Sequence, residues 1–253
     1  MMSSNQTLKG KAKENIKFSV IIPAHNEEKY IGKCLDSIKK ASKDYADQIE
    51  VIVVLNRCTD KTEEIAKSYN CITLKNGDKN LSKIRNAGAA IAQGEIIITI
   101  DADTQMTEDL LFNVDKYLSS GKYIGGGVNG KFERVSLGII VSAILIIIPL
   151  LFKYGAISVG IFWCYKKDFE AINGFNEKMF MSEDADFAMR LKKWGKKNNK
   201  KFGTIKNAMI TSCRRFDAYG DWGLLKNPKV ILGYLKGTDQ NQADKTYYDN
   251  QER

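Results

Sequence analysis

Three short apolar runs, Phe18 to Pro23 (FSVIIP), Glu50 to Leu55 (EVIVVL) and Glu95 to Ile100 (EIIITI), alternate with stretches of helical spacing. Runs this continuous fit strands buried on both faces, because a strand with one wet face alternates apolar and polar residues. Between them, Glu27 to Ser42 sets Ile31, Leu35 and Ile38 on one helical face. Asp60 to Tyr69 follows a candidate N-cap at Thr59, Cys71 to Leu74 is a further short strand, and Leu81 to Gln93 is a small-residue helix ended by Gly94. This βαβαβαβ order predicts an α/β fold with a parallel sheet covered by helices on both faces. Ligands of such sheets bind beyond the carboxyl ends of the strands. The segments there are Ala24-His25-Asn26-Glu27, Asn56-Arg57-Cys58-Thr59-Asp60 and Asp101-Ala102-Asp103, all polar or acidic.

The last of these ends its strand abruptly on two carboxylates. At i and i+2 in extended backbone, Asp101 and Asp103 fall on one face. Two carboxylates held together repel unless a cation lies between them. Mg²⁺ sites use one or two carboxylates completed by substrate phosphates, so the pair suggests a cation-bridged phosphate compound. The competing interpretation is a polar turn, where Asp is common.

In the second half, Thr107 to Ser119 reads as a helix. Lys122 to Lys131 reads as a strand whose Gly125-Gly126-Gly127 run admits a close backbone or ligand. Leu137 to Phe152 carries no charge over 16 residues and contains Pro149. It is shorter than the ~20 residues of a spanning helix. It reads as a helix lying in a bilayer interface or a shallow re-entrant hairpin, with a buried core helix as the alternative. Gly155 to Tyr165 resembles a strand, and Ser182 to Trp194 a helix that begins with acids. After Asp221, apolar residues from Trp222 to Leu235 mix with Lys226, Lys229 and Lys236, which suits a basic amphipathic segment on a membrane. Thr238 to Arg253 is polar and reads as loosely held. The chain thus divides into a basic polar tail (1–16), a main domain (17–220) and an amphipathic segment with a polar tail (221–253).

Composition narrows the function. The only histidine is His25, which disfavours a His-rich zinc site and a Ser-His-Asp triad. The five cysteines show no metal-ligand spacing and read as reduced thiols of a cytosolic protein. The first 17 residues are polar and lysine-bearing, unlike a signal peptide. The net charge is +9, with a second basic cluster from Lys192 to Lys206. No aromatic residues interleave that cluster as a base-stacking surface would require, so solvent or anionic lipid, rather than nucleic acid, is its expected partner.

The segments VIIPAHNEEKYIGKCLDSI, VIVVLNRCTDKTEEIA, IRNAGAAIAQGEIIITIDAD, INGFNEKMF and SEDADFAMRLKKWG, in this order, resemble the family 2 glycosyltransferases over about residues 17 to 215. The resemblance implies a GT-A fold, a Rossmann-like mixed, mainly parallel sheet flanked by helices. It also implies an inverting transferase that uses a nucleotide-diphosphate sugar and Mn²⁺ or Mg²⁺. Laid onto this chain, it gives Ala24 and Glu27 to the nucleobase and ribose, and Asn56, where Asp is frequent, and Asp60 to the base. Arg85 would meet the nucleotide or diphosphate. Asp101 would face ribose or metal, and Asp103 would bind the metal. Asp184 would be the general base, Glu183 would orient the acceptor and Asp186 would brace the site. Arg214 and Arg215 would hold a diphosphate or acceptor phosphate, and Trp163 would pack on a sugar face or in the core. Helix-dipole and surface roles compete for Glu27, Arg85 and the acids of 183–186. The late histidine ligand of some relatives has no counterpart here.

The expected partners are a sugar-nucleotide donor and a glycan or lipid acceptor hydroxyl, with peripheral contact at the cytoplasmic face of the cell membrane and no nucleic acid. A nucleotidyltransferase would release pyrophosphate instead of a nucleoside diphosphate. A non-catalytic binding module would need none of Asp101, Asp103 and Asp184.

Overall fold

The computed structural model describes residues 15–154, 160–223 and 228–247. Its first half follows the alternation read above: β1 (Phe18–Ala24), α1 (Ile31–Ala41), β2 (Ile49–Asn56), α2 (Thr62–Ser68), β3 (Ile72–Asn76), α3 (Leu81–Ile91) and β4 (Ile96–Thr99). Then come β5 (Thr104–Met106), α4 (Leu110–Ser119), β6 (Tyr123–Phe132), α5 (Leu137–Tyr154), β7 (Phe162–Tyr165), α6 (Lys166–Ala171), α7 (Glu183–Lys197) and β8 (Lys201–Thr211). Three helices close the described chain: α8 (Arg214–Tyr219), α9 (Pro228–Lys236) and α10 (Gln240–Tyr247).

The eight strands form one mixed sheet in the order β3-β2-β1-β4-β7-β6-β8-β5. Strands β1 to β4 are parallel, β7 runs antiparallel to both β4 and β6, and β6 pairs in parallel with β8. Both faces are covered. Phe18, Val20 and Ile22 of β1 join Leu35, Ile38, Leu110 and Val114 in one core cluster. Ile21, between them, joins Ile84, Phe175, Phe187 and Leu191 in the other. A period of two along β1 therefore feeds two cores, which is why its sequence reads as an unbroken apolar run.

Several local expectations change. Helix α1 begins at Ile31, because Asn26 to Tyr30 form a turn closed by Tyr30 N donating to Glu27 O at 2.9 Å. The first turn of α2 is capped by the Asp60 carboxylate, which takes Thr62 N at 3.0 Å, and not by Thr59. The glycine run in β6 makes room for protein: a Cβ on Gly126 would lie 2.1 Å from Gly203 O and 2.6 Å from the Trp163 ring. The strand expected from Gly155 begins at Phe162, and residues 155–159 lie outside the described residues, as does most of the 1–16 tail. The tail expected to be loosely held contains α10, anchored by buried Ala243.

Helix α5 resolves the core-helix alternative against burial, since only 28% of it is buried. Leu137, Ile140, Ile144, Ile147, Ile148 and Leu151 are exposed at helical spacing, and Phe152 is 88% exposed. Its other side is fixed. Leu150 and Tyr154 pack with Met179 and Ala185. Ser142 Oγ donates to Asp221 O at 3.0 Å, and Gly138 leaves room for the Asp221 backbone. The helix thus lies on the protein with one apolar stripe outward.

Candidate active site

The carboxyl ends of β1, β2 and β4 converge as the topology requires, and α7 brings its acidic first turn to the same place. The organising group is Arg85 on α3, 1% exposed. Its Nη2 donates to Asp101 Oδ1 at 2.7 Å, and its Nη1 donates to Glu183 Oε1 and Asp184 Oδ1, both at 2.9 Å. The guanidinium lies 5.0 Å over the Phe175 ring. Phe175 in turn stacks on Phe187 of α7 with ring centroids 4.3 Å apart. Next to it, Asn86 bonds both the N–H and the C=O of Phe175, at 2.8 and 2.9 Å. Asn80 Nδ2 donates to Glu177 O at 2.8 Å. Helix α3 therefore fastens the 174–184 segment that delivers Asp184. The sequence reading assigned Arg85 to the donor, but the structure gives it three carboxylates of the protein.

Asp184 keeps its second oxygen toward Gly160 N, at 3.4 Å. Burial pushes its carboxyl up to about 6, against the opposing pull of Arg85. Ser182, immediately before α7, has φ 57°, as Asn26 has φ 53° and Arg57 φ 52° in the loops after β1 and β2. Among the described residues, Arg57 and Ser182 are the left-handed positions held by neither glycine nor asparagine, and both lie at this end of the sheet, where such strain is characteristic of functional loops.

A second knot lies beside the first. Arg214 Nη1 donates to Glu27 Oε2 at 2.5 Å, and its Nε is 2.9 Å from Asp103 Oδ2. The guanidinium sits 5.2 Å over the Tyr30 ring. Ser212 Oγ also donates to Asp103 Oδ2, at 2.8 Å. Ser212 and Tyr30 carried no signal in the sequence, because nothing local ties them to Asp103. The Arg215 side chain lies outside the described residues.

The other expected residues take quieter places. Asn56 is 1% exposed and its amide donates to Asn76 O and Asp78 O at 3.0 and 2.7 Å, tying β2 to the loop after β3. Burial pushes the Asp60 carboxyl up, but hydrogen bonds from Thr62 and Glu28 outweigh it and hold the group below its usual range. The Ala24 side chain is buried. Asp186 accepts from Arg190 Nε at 2.6 Å, and Arg190 also bonds Ile172 O and Gly174 O, bracing the same segment. Trp163 is fully buried and donates to Gly127 O at 3.2 Å, so its ring packs in the core and faces no sugar.

Among the described residues no three His, Cys, Asp or Glu form a closed metal cage. The donor set still fits a hard cation completed by ligand oxygens. The two knots set five carboxylates against two guanidinium groups. Asp103 Oδ1 has one long approach, Thr104 Oγ1 at 3.4 Å. One or two carboxylates with substrate phosphates suffice for Mg²⁺.

Comparison with known proteins identifies the family and the fold. The glycosyl transferase family 2 model matches residues 19–155, and the model for an N-terminal domain of galactosyltransferase matches residues 150–208. The poly(ribitol-phosphate) beta-N-acetylglucosaminyltransferase TarS of Staphylococcus aureus is 34% identical over 128 residues, covering 46% of this chain and 22% of that protein. This chain thus spans about a fifth of that relative's length. The structure of S. aureus TarS 1–349 in complex with UDP-GlcNAc superposes with TM-score 0.60 at 20% identity, covering 91% of this chain and 70% of that one. Glucosyl-3-phosphoglycerate synthase from Mycobacterium tuberculosis, in complex with Mn²⁺, UDP and phosphoglyceric acid, gives TM-score 0.59 at 16% identity over 90% of this chain and 81% of that one. At these identities the structural likeness establishes the GT-A type of fold.

Proposed function

This chain belongs to glycosyl transferase family 2, and from that premise we propose that it moves a sugar, with inversion, from a nucleotide-diphosphate sugar to an acceptor hydroxyl. One observation carries the reading. Arg85 brings Asp101, from the end of β4, and Asp184, from the start of α7, onto one guanidinium. The acidic pair after β4 and the acid of a distant helix thus share a single cleft, as a displacement with donor on one side and acceptor on the other requires.

Asp184 is the general base. Its raised carboxyl keeps proton affinity for the acceptor hydroxyl, while Gly160 N and Arg85 fix its direction. Glu183, 5% exposed, braces Arg85 from the second side, and the acceptor lies against these two acids. Ala24, Glu27, Asn56 and Asp60 shape the loops that take the nucleoside, mostly through backbone, since their side chains are engaged with protein. Arg214 faces the diphosphate, a role suited to a bidentate guanidinium. Asp103, with Asp101 beside it, would hold Mn²⁺ or Mg²⁺, which when bound neutralises charge on the departing diphosphate.

The acceptor is a lipid or lipid-linked glycan, and the protein docks peripherally on an anionic membrane. Support comes from α5, whose exposed apolar stripe lies on the helix that packs against Ala185, one residue from the base. A groove of about 350 Å³ beside it is lined by Phe132, Ile139, Ile140, Ala143, Ile144 and Ile147, among others. Helix α9 packs on α5 and carries exposed Lys229, Leu232 and Lys236, and Trp222 before it is exposed as well, which adds the aromatic and basic residues of a membrane interface. The poly(ribitol-phosphate) acceptor in the TarS name makes a phosphate-bearing polymer the first glycan to try, with UDP-GlcNAc as first donor.

The test is product release. Wild-type protein with Mn²⁺ and a panel of sugar nucleotides is expected to release a nucleoside diphosphate in an acceptor-dependent manner, and Asp184→Asn is expected not to. Pyrophosphate release, or no release with any donor, overturns the reading.

A further inference from the structure

Arginine buried to 1% is costly unless its charge is repaid by well-placed carboxylates. Arg85 has three, and they come from two different segments: Asp101 follows β4, while Glu183 and Asp184 open α7. Its two Nη atoms divide between them, one to each segment. Nε finds no acceptor among the described residues, so both segments are held by the fork alone. The plane is fixed from below by Phe175, whose own backbone is clamped by Asn86.

We infer that Arg85 is a positioning residue that fixes the direction and spacing of the base Asp184 relative to the donor-side carboxylate Asp101, without touching the donor itself. The inference rests on the glycosyl transfer reading above. A lysine cannot substitute. It carries the charge on one nitrogen and has no fork with which to address two segments. Catalytic geometry tolerates little slack, and a displacement of about 1 Å costs on the order of 10²-fold in rate. The chemistry itself belongs to Asp184. Arg85 acts through it.

The distinguishing experiment compares wild type, Arg85→Lys and Arg85→Ala in three readouts. With UDP-GlcNAc as donor, both variants are expected to lose about 10²-fold in kcat with donor KM nearly unchanged. Guanidinium chloride at millimolar concentration is expected to restore part of the Arg85→Ala rate by refilling the vacated fork, which a general loss of stability would not allow. By hydrogen exchange without donor, amides 180–186 are expected to lose protection in both variants while those of β1 keep theirs. A rise in donor KM with kcat retained would make Arg85 a donor ligand and overturn the inference, as would wild-type rate and protection in Arg85→Lys. If wild type releases no nucleoside diphosphate from any donor, the transfer reading fails by itself. The exchange comparison then decides whether Arg85 holds the Asp184 segment, unchanged protection counting against it.

Discussion

Arg214 reaches back from beyond the last strand to place its Nε 2.9 Å from Oδ2 of Asp103. A carboxylate suited to a divalent cation is thus already paired with a monovalent one, and the same guanidinium neutralises Glu27, 4% exposed. A buried carboxylate needs such a counter-charge to offset its desolvation. Together with the three carboxylates on Arg85, the pairing explains how five carboxylates can share one end of the sheet before any ligand arrives.

The first prediction follows from that competition. A cation that takes both Asp103 oxygens must break the Arg214 contact. The contact is an ion pair, without a hydrogen bond from Nε. Removing a positive charge this close to a cation site lowers the repulsion an incoming cation meets, so Arg214→Ala is expected to tighten Mn²⁺ binding to nucleotide-free protein by about tenfold, measured by calorimetric titration. Unchanged or weaker Mn²⁺ binding would mean that the guanidinium does not compete for the site. If Arg214 holds the diphosphate as proposed, the same variant should bind UDP more weakly.

Asp184 supplies the second. Positioned general bases contribute about 10² to 10⁴-fold, so Asp184→Asn should lose that much kcat while binding donor as wild type does. The pH dependence has a definite sign. Burial raises this carboxyl to about 6, and only the ionised form accepts a proton. Activity is therefore lost as pH falls through about 6, instead of near the ordinary carboxylate value of about 4. A kcat/KM profile still flat at pH 5 would rule Asp184 out as the base.

Much of this was legible in the chain. The unbroken apolar runs of β1, β2 and β4 dictate strands covered on both sides, and the acids at 101, 103, 183 and 184 mark the right ends of their elements. The partners of the arginines were not legible. Nothing near Arg85 in sequence says that Asp101 and Glu183 flank it, because that contact exists only once α3 and α7 pack on the same face of the sheet. The three residues of β5 and the six of α8 are too short to carry a periodic signal. In α10 the sequence is polar, and only the burial of Ala243 reveals that it is held. The partners of Asn56 were hidden in the same way: the resemblance gave its position to the base, and only the fold shows that its amide spends both hydrogens on the loop after β3.

Trp163 gives the third prediction. Its ring is enclosed by Tyr117, at 5.6 Å between centroids, and by the glycines of β6 and β8. Aromatic-to-alanine changes in cores cost about 3–5 kcal/mol. Trp163→Ala is expected to lose that much stability in denaturant unfolding, and Trp163→Phe clearly less. Acceptor KM should be unchanged in Trp163→Phe. A raised acceptor KM without loss of stability would return the ring to the sugar site.

The last prediction concerns α5. Ile144 and Ile148 are 47% exposed each, one turn apart on the outward stripe. Neither belongs to a buried core cluster, and exposed substitutions of this kind usually change stability by less than about 0.5 kcal/mol. In water the double variant Ile144→Lys, Ile148→Lys should therefore fold and melt as wild type does. At a bilayer the outcome differs, because two ammonium groups would have to enter the acyl boundary where the apolar stripe sits. Wild type should float with vesicles containing anionic lipid, and the double variant should remain in the soluble fraction. Donor hydrolysis in detergent-free buffer should be the same for both, which separates docking from chemistry. Equal flotation of the two proteins would mean that the stripe does not face the membrane, and a wild type that never floats would mean that it covers something other than lipid.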